Sequence, residues 1–220
     1  MLPKATVEEV RLGSVRAFGP KGEPSAYKKS PIEVPVEVHA LGLAGDSQAD
    51  LENHGGVDKA ILHYAFDHYE QWREDKVELA QKFDTAGAFG ENISTLGITE
   101  SEVCIGDRFR LGTAIVEVSQ GRQPCWKLGH SFGNQEMVRE VIRTRRSGWY
   151  YRVVQVGSVA AGDTIELLER LYEQWRVERV FGLLIGDDRD PEAIEQLSDL
   201  EVLSESWRKR ARRLHANIRH

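Results

Sequence analysis

The chain has 220 residues, of which 40% are hydrophobic and 29% charged, with a formal net charge of -6 and a mean hydropathy of -0.44. Such values describe a globular chain able to bury a sizeable core, and they exclude collagen-like, low-complexity and largely disordered classes. Its two cysteines, Cys104 and Cys125, exclude a secreted disulfide framework and a thiolate-rich zinc site, and point to a reducing compartment with two free thiols. In chain order, Val34, Val36, Val38 and Ala40 alternate with polar neighbours as in a half-buried strand, which Pro35 marks as an edge. A first helix is expected near Asp67 to Glu74. Val103-Cys104-Ile105 and Phe109-Arg110-Leu111 flank Gly106-Asp107, which is hairpin chemistry. Ala114, Val116 and Val118 alternate again as a strand. Met137, Val138, Val141 and Ile142 form the apolar stripe of a second helix near Gln135 to Thr144. Trp149 to Val156 and Thr164 to Leu168 read as further strands.

The last 50 or so residues change character. Val177, Val180, Phe181 and Leu184 recur at helical spacing, Asp190-Pro191 is an N-cap followed by proline at the first helical position, and Ser204 caps a third helix. Many short strands with few helices, followed by three helices, predict a mainly β barrel over residues 1–170 and a small helical domain over residues 171–220. Residues 171–220 hold 10 acidic and 9 basic side chains, the basic ones crowded into Arg208-Lys209-Arg210 and Arg212-Arg213. That run reads as a solvated, ion-paired helix end rather than a nucleic-acid surface. The acidic balance likewise argues against a nucleic-acid polymer as partner. No run of about 18 apolar residues could span a bilayer, and the N-terminus turns polar before any signal core forms. The expected location is cytoplasmic, with no membrane partner.

Four segments gather glycine and polar residues: Gly42 to Asp50, His54 to Ala60, Gly87 to Ile93, and Ser119 to Leu128. Glycine lets backbone approach a ligand and offers N–H groups to anions, while Lys59, Arg122 and Lys127 add positive charge. The same glycines also serve ordinary tight turns. Cys104, between Val103 and Ile105, reads as an inert core residue. Cys125, after a proline and between Arg122 and Lys127, has the cationic neighbours that favour a thiolate. His63 and His68 stand five apart, not the four that aligns two ligands on one helix face.

The segments G-L-A-G-D-S-Q-A-D, H-G-G-V-D-K-A, G-A-F-G-E-N-I and E-V-S-Q-G-R-Q-P-C-W-K-L, continued by R-S-G-W-Y-Y-R-V and G-S-V-A-A-G-D, resemble in order and spacing the MOSC domain, named for the C-terminal domain of molybdenum-cofactor sulfurases. The helical tail resembles the 3-α domain of the YiiM-like branch. One departure is Gly121, where relatives commonly carry proline; it is expected to loosen the loop before Cys125.

The resemblance implies a MOSC-type β-barrel like that of pyruvate kinase, with Cys125 either ligating the molybdenum of a molybdopterin cofactor or carrying sulfur. It implies reduction of N-hydroxylated small molecules such as 6-hydroxylaminopurine, with electrons from a separate flavin or iron–sulfur protein and no need of pyridoxal phosphate. Carried onto this chain, Lys59 and Arg122 are expected at phosphate or pterin oxygens, and His54, Gly55 and Gly56 as a turn of backbone donors. Asn92 is expected on the pterin, with Ser119 and Lys127 completing the cofactor-binding set; Asp46 is expected to hold a loop. Trp149 and Tyr150 either wall the pocket or belong to the core. Two other readings use the same thiol: a sulfur or molybdenum-cofactor carrier, and a phosphate-binding hydrolase pairing Cys125 with His54. Oligomeric state is left open.

Overall fold

A computed structural model describes residues 4–49 and 55–218. In chain order the strands are β1 (Lys4–Gly13), β2 (Arg16–Ala17), β3 (Pro24–Ser25), β4 (Lys29–Pro31), β5 (Val36–His39), β6 (Gly42–Leu43), β7 (Ile61–Ala65), β8 (Ile93–Thr95), β9 (Arg108–Leu111), β10 (Ala114–Gly121), β11 (Trp149–Gln155), β12 (Gly157–Val159) and β13 (Thr164–Glu169). The helices are α1 (Asp67–Asp75), α2 (Trp126–Phe132), α3 (Glu136–Thr144), α4 (Val177–Leu184), α5 (Pro191–Asp199) and α6 (Glu205–Ile218), with 3-10 turns at Val57–Lys59 and Val77–Phe83.

Seven strands run β13-β9-β10-β11-β7-β8-β1, and β1 pairs back onto β13, closing a barrel. Closure leaves no free sheet edge around the core. Every barrel pairing is antiparallel except β7 with β8. A parallel pair cannot be joined by a tight turn. The crossover here is α1, the 3-10 turn at Val77–Phe83 and the glycine loop that follows. Beneath it sits a separate aromatic cluster of Tyr64, Tyr69, Trp72, Phe83, Phe89 and Phe132, with Tyr64 and Phe89 stacked at 3.9 Å.

The alternating segment of β5 behaves as its period requires, whereas β10 is buried on both faces except at Ile115. Val36 and Val38 are buried and Glu37 and His39 exposed, yet β5 is the middle strand of a three-stranded sheet, between β12 and β6, and not an edge. Pro35 precedes the strand, so its missing N–H is not demanded by the ladder. The expected hairpin at Gly106-Asp107 also moves. The turn joins β9 to β10 at Gly112-Thr113 instead. Residues 103–107 form a turn held by the buried Asp107 carboxylate, which accepts from the Cys104 N–H at 2.8 Å and from Arg170 at 2.6 Å. Cys104 is fully buried.

The C-terminal helices close one end of the barrel, and their apolar residues join its core: Val177, Val180, Phe181, Leu197 and Trp207 belong to the same buried cluster as Val116 and Val118. The Asp190 side chain accepts from the Ala193 N–H at 3.0 Å, and the Ser204 hydroxyl accepts from the Trp207 N–H at 3.3 Å, so both expected caps are present. Gly121, the last residue of β10, lies under these helices; a Cβ there would stand 2.9 Å from the Trp207 ring and 3.3 Å from Phe181. It is paired with Trp149 in the β10–β11 ladder.

Candidate functional site

Cys125 stands four residues past the end of β10, in extended conformation at the N-cap of α2. The chain leaves the barrel through Gln123-Pro124, and the Cys125 that follows is half-buried. It borders two clefts. One, of about 670 Å³ and open at its mouth, is lined by Tyr27, Lys29, Asp46, Lys59, Phe89, Gly90, Asn92, Arg122, Lys127 and Tyr150 among others. The other, of about 1090 Å³, lies between the barrel end and α6 and is lined by Gln120, Gln123, Pro124, Ser206, Trp207, Arg210 and Arg213. Lys59, Gln123, Cys125 and Tyr150 line both. The thiol is therefore the junction between a barrel-mouth cavity and a helix-lined one.

Electrostatics of the first cleft turn on which cations are already neutralised. Lys29 and Asp46 form a buried ion pair at 2.6 Å, and Asp46 also accepts from the Gly13 N–H and the Asn92 amide. Asp46 thus ties β1, β4 and the glycine loop together, as a loop-holding residue should. Arg122 and Lys127 differ. They are 5% and 8% exposed, and neither meets a carboxylate within salt-bridge distance among the described residues. Arg122 Nη1 is buried without any hydrogen-bond partner. Burial pulls the Arg122 pKa down, but the facing Tyr27, Cys125 and Tyr150 outweigh it and leave the value raised. Burial likewise pushes the phenols of Tyr27 and Tyr150 up, against the pull of Arg122, which keeps them neutral hydroxyls. A buried, charged guanidinium with a spare donor is a demand for an anionic oxygen.

The glycine loop is built to hold this wall in place. The buried Glu91 carboxylate accepts from the Gly87 N–H at 2.6 Å, from the Phe89 N–H at 3.1 Å and from the Tyr69 hydroxyl. The Tyr27 hydroxyl donates to the Ala88 carbonyl at 3.0 Å. Gly90 adopts φ +77, which strains any residue with a side chain, and the Tyr27 ring lies 3.2 Å from where a Cβ would be.

The expected site residues separate into three groups. Lys59, Arg122, Cys125 and Lys127 come together at the first cleft. Asn92 also lines it, but its side-chain oxygen accepts from the Leu62 N–H at 3.1 Å and its amide donates to Asp46 and the Arg11 carbonyl. Asn92 is therefore a structural clamp whose polar atoms are already engaged. Ser119 is corrected outright: it is fully buried, donates to the Tyr150 carbonyl at 3.1 Å and to the Asp58 carbonyl, and lines neither cleft. Gly55 and Gly56 line neither cleft; the Gly56 carbonyl accepts from the Lys59 N–H at 3.0 Å and forms the turn that presents Lys59. His54, and with it the pairing of Cys125 with His54, lies outside the described residues.

Trp149 and Tyr150 divide by strand alternation. Trp149 points inward, fully buried and 4.2 Å from the His63 ring, while Tyr150 points to the clefts. His63 bonds Tyr151 at 3.0 Å and Thr95 at 2.8 Å, whereas His68 bonds Glu100 at 2.6 Å, so the two histidines serve different buried networks. No group of three or more His, Cys, Asp or Glu side chains among the described residues could hold a metal ion by itself. No described helix is long and apolar enough to cross a membrane. Tyr27, Gln123, Arg210 and Arg213 were not legible as site residues. The last two carried one available signal, their shared face with Ser206 on α6.

Residues 50–166 match the MOSC domain family model, and residues 175–214 match the YiiM-like 3-alpha helix domain. An uncharacterized protein from Bacillus subtilis, YflK, is 44% identical over 180 residues, covering 82% of this chain and 80% of its own. Protein YiiM from Escherichia coli is 37% identical over 212 residues, covering 96% and 93%. A protein from Gibberella moniliformis named "Reductase" is 40% identical over 174 residues, covering 78% of this chain and 31% of that longer one. The crystal structure of Escherichia coli YiiM superposes with a TM-score of 0.81 over 98% of this chain and 94% of that one, at 30% identity. The seven-strand barrel, its helical cover and these matches together place the chain in the MOSC domain family, in the YiiM-like branch.

Proposed function

We propose that this chain is an oxidoreductase that binds a molybdenum cofactor in the barrel-mouth cleft and reduces N-hydroxylated small molecules to the amine. The observation that carries the reading is the buried Arg122 guanidinium, with Nη1 unpartnered, beside the Cys125 thiol. Molybdopterin presents a phosphate and soft dithiolene sulfurs around its metal. Uncompensated cations and one thiolate are the donor set such a group needs. Arg122 and Lys127 would hold its anionic oxygens, and Cys125 would supply the soft ligand. Lys59 and Tyr150 border the same thiol.

When bound, the molybdenum centre supplies two-electron oxygen-atom chemistry. The overall change is R–NH–OH plus two electrons and two protons to R–NH2 and water, with the N–O bond broken. The neutral Tyr150 hydroxyl can donate a hydrogen bond at the cleft, whereas the Tyr27 hydroxyl already donates to the Ala88 carbonyl. An iron–sulfur cluster takes about four cysteines. This chain has two, one of them buried in the core, and a flavin or iron–sulfur partner would supply the electrons. The relative named "Reductase" favours redox over carrier chemistry.

The direct test compares wild type with Cys125→Ala, both produced in a host able to make the cofactor. Molybdenum and pterin per chain, and reduction of 6-hydroxylaminopurine with an added flavin reductase, should fall together in the variant. Equal metal content and equal turnover in both proteins would remove the proposed role of the thiol.

A further inference from the structure

The basic run on α6 is not one surface. Arg208, Lys209 and Arg212 all lie within 4 Å of the single Glu205 carboxylate, at 2.6, 3.7 and 3.8 Å. Arg210 and Arg213 take no part in that cluster. Among the described residues neither meets a carboxylate within salt-bridge distance, and Arg210 is engaged only through Nε, which donates to the Leu184 carbonyl. Both line the larger cleft together with Ser206, one helical face at i, i+4 and i+7. Burial first, then the charge of Arg213, pulls the Arg210 pKa down. On a chain of net charge -6, two adjacent guanidiniums facing a cavity are an electrostatic cost that an anion would relieve.

Cys125 and Tyr150 line the same cleft. We propose that Arg210 and Arg213 form a phosphate subsite, so that the preferred substrates are N-hydroxylated bases carried as nucleotide 5′-monophosphates, the base at Cys125 and the phosphate at α6. This rests on the reductase reading above and adds the substrate's charged end to it. Two forked guanidiniums match the several oxygens of a doubly charged phosphate monoester better than they match a single carboxylate. Apart from its open mouth the cleft encloses about 460 Å³, within the range of small-molecule sites. Gln120 also lines the cleft; its side-chain oxygen accepts from the Ser206 hydroxyl at 3.2 Å, which ties the α6 face to the strand end.

The test is calorimetric binding of two non-reducible probes, adenosine 5′-monophosphate and adenosine, to the full chain as purified. Wild type should bind the monophosphate about tenfold or more tightly than the nucleoside, as expected for charge-assisted bonds to a phosphate. The Arg210→Gln/Arg213→Gln pair should lose that preference, and Arg213→Gln alone, at an exposed position that does not endanger folding, should lose part of it. Equal binding of both probes by wild type, no binding of either, or a preference surviving both substitutions overturns the proposal. So does a double variant that loses its molybdenum content while keeping the preference, since the subsite would then hold the cofactor's own phosphate. A phosphate preference that holds in a protein unable to reduce any N-hydroxylated compound would leave the subsite standing and sink the reductase reading alone.

Discussion

Arg122 offers the sharpest separation between a residue kept for the fold and one kept for a ligand. It is 5% exposed, with Nη1 unpartnered and no carboxylate within salt-bridge distance among the described residues. Leaving a buried donor unsatisfied costs about 1–3 kcal/mol, and more for a charged group. Replacing Arg122 by methionine removes that cost while keeping most of the side-chain volume. The cofactor-free protein should then be as stable as wild type or more so, by up to about 1–3 kcal/mol. Binding moves the other way. A charge-assisted bond to an anionic oxygen contributes about 1.5–3 kcal/mol, so retention of the cofactor should weaken by about 10–100-fold. The two arms are urea denaturation of protein made in a host lacking cofactor synthesis, and molybdenum per chain from a competent host. Arg122→Met that destabilises the cofactor-free chain by more than about 2 kcal/mol, with undiminished molybdenum, would refute the argument.

Two further substitutions test the surrounding frame. Burial lowers the His63 pKa from 6.5 to about 3, so the folded state resists a proton that the unfolded state accepts. Its contribution is complete above pH 6.5 and is lost as pH falls, at about 1.4 kcal/mol per unit, or about 2 kcal/mol between pH 6.5 and 5. Urea midpoints across that range should fall more gently for His63→Gln than for wild type; parallel profiles would count against the assignment. Glu91→Ala strands two backbone N–H groups and the Tyr69 hydroxyl, at about 3 kcal/mol or more in total, and a chain of this size should melt roughly 6–12 °C lower. A shift below about 2 °C would mean the loop does not depend on that carboxylate.

Much of the architecture was legible locally. Two-residue alternation placed the buried face of β5, and Asp190-Pro191 and Ser204 announced their caps because capping depends only on neighbours in sequence; β10, alternating in sequence, is buried on both faces except at Ile115. The segment β7, buried along its whole length, carries no alternation and was missed for that reason. So was α2, whose seven residues are too few to show a helical period. Gly106-Asp107 was misread because the turn's purpose is long-range: Asp107 meets Arg170, 63 positions away.

The sequence by itself determined the family, the barrel and the importance of Cys125, since ordered motifs and residue types survive without knowledge of contacts. Which charges are spent and which are spare was decided only in three dimensions. Lys29 is neutralised by Asp46, 17 residues away, and Asn92 is held by the same carboxylate, while Arg122 and Lys127 are left without a carboxylate partner among the described residues. The basic run of α6 looks uniform in sequence, yet Glu205 gathers three of its cations and the helix turns Arg210 and Arg213 into the cleft. Electrostatic partnership falls steeply with distance, and distance between residues remote in sequence exists only once the chain has folded.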